Sequence, residues 1–413
     1  MKMMKAIVAH YQWSYLGGRE LVSGSVVKAL LEKGYEVAIA SAFGFKREIY
    51  EKWFQITLRN ARVYRLLPEI FSRLGIYSWL GFHTLLRKVI MKERPDIVFI
   101  DDELYGPISK MRKKIGFKII EYIHFPYHML HYALGLKKTD ISSEHRDVFK
   151  KYLSDTRMRF IKYKKGFRRY YFMLWLKLFE KIARDNPFET ADAVVTNSKY
   201  IAKLIRLLWG EYPLILHPPV TIKEFESYGQ KSFEERDDAV VMIGRISPEK
   251  RILDAINALA LTNIKPILRV IGQLSPEGKS YKKLLEKKAK KTGIQIEFYP
   301  NVPRKILAKI VSASKIFVHT AIGEHFGIAV VEGMAGGCPV IVHRSGGPFE
   351  DIIDYGKYGL SYNSLGELAE YIDRLLTNKG TWNYYHKRSL KRALAFSEKA
   401  FTQRFFNLIK IIF

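Results

Sequence analysis

The chain alternates short, almost wholly apolar runs with longer stretches whose apolar residues recur at helical spacing. In the first half the apolar runs are KAIVA, YEVAIA, DIVFID, FKIIEYIH, AVVTN and PLILHPP. The second half holds AVVMIGR, ILRVIG, IQIEFYPN, KIFVHT and PVIVH. A strand buried on both faces reads as an unbroken β-branched run, whereas one wet face imposes strict alternation. Such runs separated by helices predict parallel sheets covered on both sides, an α/β architecture. The segment from His217 to Arg236, with Pro218-Pro219 and an acidic, polar stretch, follows neither period. It is the expected hinge. It would divide residues 1–217 from a second α/β domain at 237–395, with 218–236 between them. Residues 396–413 would form a terminal helix able to pack back on the first domain.

One stretch, Leu130 to Glu180, shows no strand. Within it, Arg157 to Lys181 carries nine basic residues, one acid and eight aromatics. Phe160, Tyr163, Phe167, Tyr170, Phe172, Trp175 and Phe179 recur at roughly helical spacing, with Arg168, Arg169 and Lys177 interleaved. A basic aromatic helix of this kind suits a membrane interface. The same stripe also suits a helix packed on a core with solvated lysines, and a nucleic-acid contact is the third reading.

Composition narrows the class. With 413 residues, 48% of them hydrophobic, the chain can bury two to three cores. A single cysteine, Cys338, excludes a disulfide framework and suits a reducing cytoplasm. KAIVA begins at the fifth residue, so no secretory leader is expected ahead of the fold. No apolar run is long enough for a transmembrane helix. Charge is the outlier: 69 Lys and Arg against 41 Asp and Glu give +28. That field attracts anionic lipid, phosphorylated substrates or nucleic acid, unless it serves only solubility.

The densest chemistry lies in EHFGIAVVEGMAGGCPVIVHRSGGP, bracketed by Glu324 and Glu332. It follows the strand KIFVHT and turns helical near Gly327. A strand, a small-residue turn and a helix start offer free backbone N–H groups to phosphate. Carboxylates beside such a seat repel phosphate and are better suited to hydroxyls on either side of it. The pattern therefore points to a nucleoside diphosphate sugar. In the same half, Gly244-Arg245 and Lys250 follow the strand AVVMIG, and two cations there can neutralise a diphosphate and its developing charge.

The first half adds Gly17-Gly18 after its first strand and His124 directly after FKIIEYI. The dinucleotide spacing G-x-G-x-x-G is absent, which disfavours a nicotinamide cofactor. His124 stands at a strand's carboxyl end, where open sheets bind ligands. With His128 and His131 it could also form a metal cluster, although Pro126 disturbs the helix that would align them. Asp101-Asp102-Glu103 is a second weak metal candidate. Gly272 to Ser280 imitates a phosphate loop, but Pro276 and Glu277 sit where phosphate would be cradled.

GRISPEK, EHFGIAVVEGMAGGCPVIV and SGGPFEDI together resemble the retaining GT-B glycosyltransferases of family 4. YIHFP, NSKYIAKLIRLLW and LHPPV are most similar to its α-1,2-mannosyltransferase branch, which extends a dolichol-linked oligosaccharide on the cytoplasmic face of the endoplasmic reticulum. The resemblance implies two Rossmann-like domains with parallel sheets facing an interdomain cleft. It implies Arg245 and Lys250 on the donor diphosphate, beside Gly244. Glu324 would contact the donor sugar, with the backbone of Phe326, Gly327 and Ile328 around sugar and phosphates. Glu332 would take the ribose, the main chain near Val302 the base, and His124 the sugar; Gly17 and Gly18 would lie near diphosphate and acceptor. The glycine loop departs from the branch in having two glycines where a longer run is usual. No metal or other cofactor is implied beyond the sugar-nucleotide co-substrate. The implied partners are GDP-mannose, a polyprenyl- or dolichyl-linked glycan and an anionic membrane surface, with no nucleic acid. A soluble polysaccharide or small-lipid acceptor, or a non-catalytic polyanion binder on the same scaffold, are the alternative readings.

Overall fold

The computed structural model describes residues 3–14, 17–101, 103, 106–137, 146–159, 167–183, 185–276 and 278–413. It contains two compact units, residues 1–219 with 401–413 and residues 220–400. The first is built on seven strands: β1 (Lys5–His10), β2 (Glu36–Ser41), β3 (Arg62–Arg65), β4 (Ile97–Ile100), β5 (Lys118–Ile123), β6 (Ala193–Thr196) and β7 (Leu214–Ile215). Their order is β3-β2-β1-β4-β5-β6-β7, and every neighbouring pair is parallel. The second has six: β8 (Asp237–Ile243), β9 (Ile267–Gly272), β10 (Ile296–Pro300), β11 (Ser314–His319), β12 (Val340–His343) and β13 (Leu360–Tyr362). They run β10-β9-β8-β11-β12-β13, again all parallel.

The apolar runs are explained by helices on both faces. In β8, Val240 and Met242 enter one core with Leu268, Val270, Ile316 and Val318, while Val241 enters another with Ile271, Phe317 and Val342. Each such side chain taken out of water contributes roughly 1.5–3 kcal/mol. All eleven strand runs visible in the sequence are present. Two strands, β3 and β13, are not legible there. Both are sheet edges, and RVYR exposes its two ends, so no unbroken apolar run marks it.

The expected hinge is narrower than 218–236. Val220, Ile222 and Phe225 pack into a core of the second unit, and the unit boundary falls between Pro219 and Val220. Arg236 is buried, and its guanidinium donates to the carbonyls of Gly229, Ser314 and Gly336. The polar sequence concealed a packed strap. The terminal helix Glu398–Ile412 starts in the second unit, yet residues from Phe401 onward belong to the first, where Phe405 meets Phe99 edge-on at 6.2 Å.

The basic aromatic segment forms the helices Arg146–Arg159 and Phe167–Ile182. Trp175 is only 1% exposed and packs with Trp79, Phe172, Leu176 and Phe179. It is therefore a core residue and not an anchor in a lipid interface. Its spacing fits either role, and burial decides between them. The opposite face of the same helix shows Arg169, Tyr170, Leu174 and Lys177 to solvent. Phe160, Tyr163 and the Arg168 side chain lie outside the described residues. Among the described residues no helix is long and apolar enough to cross a membrane.

Candidate functional site

In a doubly wound sheet the loops that leave the carboxyl ends of two neighbouring strands in opposite directions open a crevice. The second unit has that point between β8 and β11. The β8 loop carries Gly244, Arg245 and a single turn, Pro248–Lys250. The β11 loop carries Thr320, Gly323 and Glu324. Lys250 Nζ lies 2.6 Å from Glu324 Oε2, so the two loops meet in an ion pair. Both side chains are largely shielded, and Thr320 Oγ1 donates to the Lys250 carbonyl at 2.7 Å. His319 Nε2 is 3.7 Å from the same Glu324 oxygen, and the His325 N–H donates to the other at 3.3 Å.

The SGGP stretch braces this loop. The Gly347 N–H donates to the Glu324 carbonyl at 2.8 Å, and Gly323 N–H donates to Ser345 Oγ at 3.0 Å. Gly346 has φ +77°, and a Cβ there would lie 2.4 Å from the Glu324 carbonyl oxygen. Only glycine combines that left-handed conformation with so close an approach. SGGP thus acts through backbone, by fixing where Glu324 stands.

Helix Ile328–Ala335 begins directly after Gly327 and leaves its first N–H groups unpaired within the helix. The Phe326 side chain is buried against Phe396, so only its backbone can serve a ligand. Glu332, one turn and a half into the helix, accepts from Arg304 Nη1 at 2.9 Å. Arg304 also reaches Glu224 Oε1 at 3.2 Å and the Thr221 carbonyl at 2.8 Å. Burial works to discharge this guanidinium, but Glu332 and Glu224 outweigh it and raise its pKa. Arg304 was missed in the sequence. It follows Val302 by two residues, and nothing in NVPR says which carboxylate it will meet. Val302 itself is half-buried in the loop after β10, beside Asn301, whose N–H donates to the Gly272 carbonyl at 3.1 Å.

Arg245 does not join Lys250. Its side chain is 58% exposed and pairs with Glu249 at 3.2 Å within its own loop. An exposed pair of this kind holds weakly, so it can be exchanged for a phosphate at little cost.

The first unit has its reversal between β1 and β4, and charge gathers there too. Asp101, just past β4, is wholly buried. Its Oδ1 lies 2.6 Å from His124 Nε2, past the end of β5, and its Oδ2 lies 3.4 Å from His10 Nδ1, at the end of β1. His10 Nε2 stands 3.5 Å from Glu20 Oε1 in the helix Gly18–Glu32. Arg19 donates to the Asp101 carbonyl at 2.8 Å, and Ser23 Oγ donates to Asp101 Oδ2. Burial opposes charge on both groups, yet His124 and then His10 lower the Asp101 pKa, and Asp101 with Glu20 raises that of His10. Gly17 caps the helix, and its N–H donates to Glu20 Oε2 at 3.0 Å, while Gly18 is the first helical residue.

The sequence singled out His124 but neither His10 nor Glu20, and it weighed Asp101 only as a metal ligand. His124, His128 and His131 do not form one ligand set, because they face Asp101, Glu103 and Glu180 respectively. Asp101 and Glu103 likewise serve separate partners, and Asp102 lies outside the described residues. Gly278, in the phosphate-loop imitation, simply opens the helix Gly278–Thr292; Glu277 lies outside the described residues.

Comparisons with known proteins agree with this architecture. The model of Glycosyltransferase Family 4 matches residues 16–220, and that of Glycosyl transferases group 1 matches residues 224–392. The architecture is shared with sucrose-phosphate synthase of Thermosynechococcus elongatus, at a TM-score of 0.68 and 16% identity over 100% of this chain and 99% of that one. The molecule is thus a glycosyltransferase of the two-Rossmann, GT-B type. Within that class the chain belongs to family 4.

Among curated relatives, a Dictyostelium discoideum protein named "GDP-Man:Man(3)GlcNAc(2)-PP-Dol alpha-1,2-mannosyltransferase" is 25% identical over 95% of this chain and 82% of its own length. A Xenopus laevis protein of the same name is 30% identical over 45% of this chain, and that match spans 42% of the relative. The chain thus covers less than half of the Xenopus relative in that match.

Proposed function

We propose that this enzyme is a retaining hexosyltransferase that moves mannose from GDP-mannose to a lipid-linked glycan of the polyprenyl or dolichyl type. The observation that carries the reading is the Lys250–Glu324 pair at the β8–β11 reversal, next to the open start of helix Ile328–Ala335. The names of the relatives support mannose, GDP and the dolichol-linked acceptor.

In this reading Lys250 and Arg245 take the diphosphate together with the helix amides near Gly327 and Ile328, and Gly244 leaves room at the phosphate. Glu324 accepts hydroxyls of the sugar, and Glu332, oriented by Arg304, accepts those of the ribose. The base lies along the main chain at Val302, and His124 is assigned to the sugar, with Gly17 and Gly18 towards the acceptor. As the sugar–phosphate bond breaks, charge grows on the leaving phosphate, and fixed cations stabilise it more than they stabilise the ground state. The acceptor hydroxyl attacks from the face the phosphate leaves, and its proton passes to the departing phosphate oxygen. No metal or other cofactor enters this scheme.

A thermal-shift panel of GDP- and UDP-sugars tests the donor. GDP-mannose should give the largest stabilisation and should then turn over with a polyprenyl-diphosphate glycan. A UDP-sugar giving the largest shift would overturn the donor assignment.

We further propose peripheral attachment at a cytoplasmic membrane face. The +28 charge supports it, as does the exposed row Arg169, Tyr170, Leu174 and Lys177. Each cation near an anionic surface adds about 1 kcal/mol. Changing Arg169 and Lys177 to Gln should therefore reduce co-sedimentation with phosphatidylserine vesicles roughly tenfold or more. Unchanged sedimentation would remove this face from the attachment.

A further inference from the structure

Glu20, His10, Asp101 and His124 stand in a row of alternating carboxylates and imidazoles, buried as far as the partly exposed His124, with successive separations of 3.5, 3.4 and 2.6 Å. We infer that Asp101 is a positioning residue: it holds the His124 ring with its proton on Nε2 and so presents Nδ1 to the donor sugar. This rests on the proposed placement of His124 at the sugar and adds how that ring is aimed.

A carboxylate with no exposed surface is expensive unless it is paired, and Asp101 is paired from three elements. His10 approaches the carboxylate from β1, Ser23 donates to it from the helix Gly18–Glu32, where Arg19 Nε also stands 3.9 Å away, and His124 approaches from the end of β5. Sheet packing does not require a charge here, since Val98, Phe99 and Ile100 already fill β4 with apolar side chains.

Of the two imidazoles, that of His124 lies nearer the carboxylate, with Nε2 at 2.6 Å from Oδ1 against 3.4 Å for His10 Nδ1. A carboxylate this close would repel a bare lone pair, so it keeps the proton of a neutral ring on the facing nitrogen and leaves the other nitrogen as an acceptor for a hydroxyl. The rest of His124 is held as well. Its carbonyl accepts from Asn197 Nδ2 at 3.0 Å, and its ring lies 4.7 Å from the Tyr122 ring, centroid to centroid. At the far end of the chain Glu20 binds the Gly17 N–H, so the glycine turn and His124 share one buried support. Partners that orient a functional histidine at a metal centre are worth ~10–100-fold when removed, and a comparable loss is expected here.

The test is a cycle of Asp101→Asn, His124→Ala and the double variant, assayed for kcat/KM, with ring nitrogen spectra of ¹⁵N-histidine-labelled protein. Asp101→Asn should lose roughly 10–100-fold in the wild-type background and less than about twofold more in His124→Ala. In the spectra the wild-type His124 ring should carry its proton on Nε2, and Asp101→Asn should mix the tautomers. Equal losses in both backgrounds would make Asp101 a structural residue and overturn the inference. Full activity of Asp101→Asn beside an impaired His124→Ala would overturn it while sparing the assignment of His124. Full activity of His124→Ala would remove that assignment, and the inference with it. Should Asp101→Asn fail to fold, the wild-type spectrum alone decides, because a proton found on Nδ1 contradicts the claim.

Discussion

Lys250→Ala should lower kcat/KM for sugar transfer by roughly 10²–10³-fold while the protein still unfolds cooperatively. The ammonium stands at the end of the β8 loop, held there by Thr320 and aimed at Glu324. A fixed charge of this kind requires little reorganisation when the leaving phosphate gains negative charge, so its contribution falls mainly on kcat. Removing it takes the Lys250 cation from Glu324, while His319 and the His325 N–H stay beside the carboxylate. That should cost about 1–3 kcal/mol of stability, enough to lower the melting temperature but not to unfold the unit. Lys250→Arg keeps the charge and should recover part of the rate. Steady-state assays beside a thermal melt decide the matter, and a Lys250→Ala enzyme of full activity would refute the donor-site assignment.

Glu324→Ala should cause a loss of similar size for a different reason. The carboxylate is placed by backbone: Gly347 holds its carbonyl, Ser345 holds Gly323, and Gly346 passes within a distance no side chain tolerates. Such investment in one position is expected where an acceptor must meet particular hydroxyls. Its removal should cost roughly 10²–10³-fold in kcat/KM, with Glu324→Gln retaining more activity because its amide oxygen still accepts. The two sites are in contact, so the double variant should lose less than the two single losses multiplied together. A multiplicative double variant would mean that Lys250 and Glu324 act at separate places.

Much of the fold is legible in the sequence, and the physical reason is depth. Strands buried on both faces must be apolar throughout, so β1, β4, β8 and β11 announce themselves; the edge strands β3 and β13 do not. Glu324 and Lys250 were legible because loops at strand carboxyl ends are where such residues gather. The partners were hidden. Arg304 finds Glu332 across 28 residues and Asp101 finds His10 across 91, and neither separation leaves a local mark. Trp175 was ambiguous for the opposite reason, since an aromatic stripe at helical spacing is the same whether lipid or protein covers it. The hinge was overdrawn because three buried apolar residues, Val220, Ile222 and Phe225, are scattered through a polar stretch without periodicity.

The proposed phosphate seat flanked by two hydroxyl-reading acids is tested most directly by calorimetric titration of GDP and of GDP-mannose into wild-type and Glu324→Ala protein. GDP should bind the two proteins alike, whereas GDP-mannose should bind the variant about tenfold or more weakly, the worth of a lost hydrogen bond to a charged group. Equal weakening of both ligands, or of neither, would contradict the division of labour between Glu324 and the diphosphate seat.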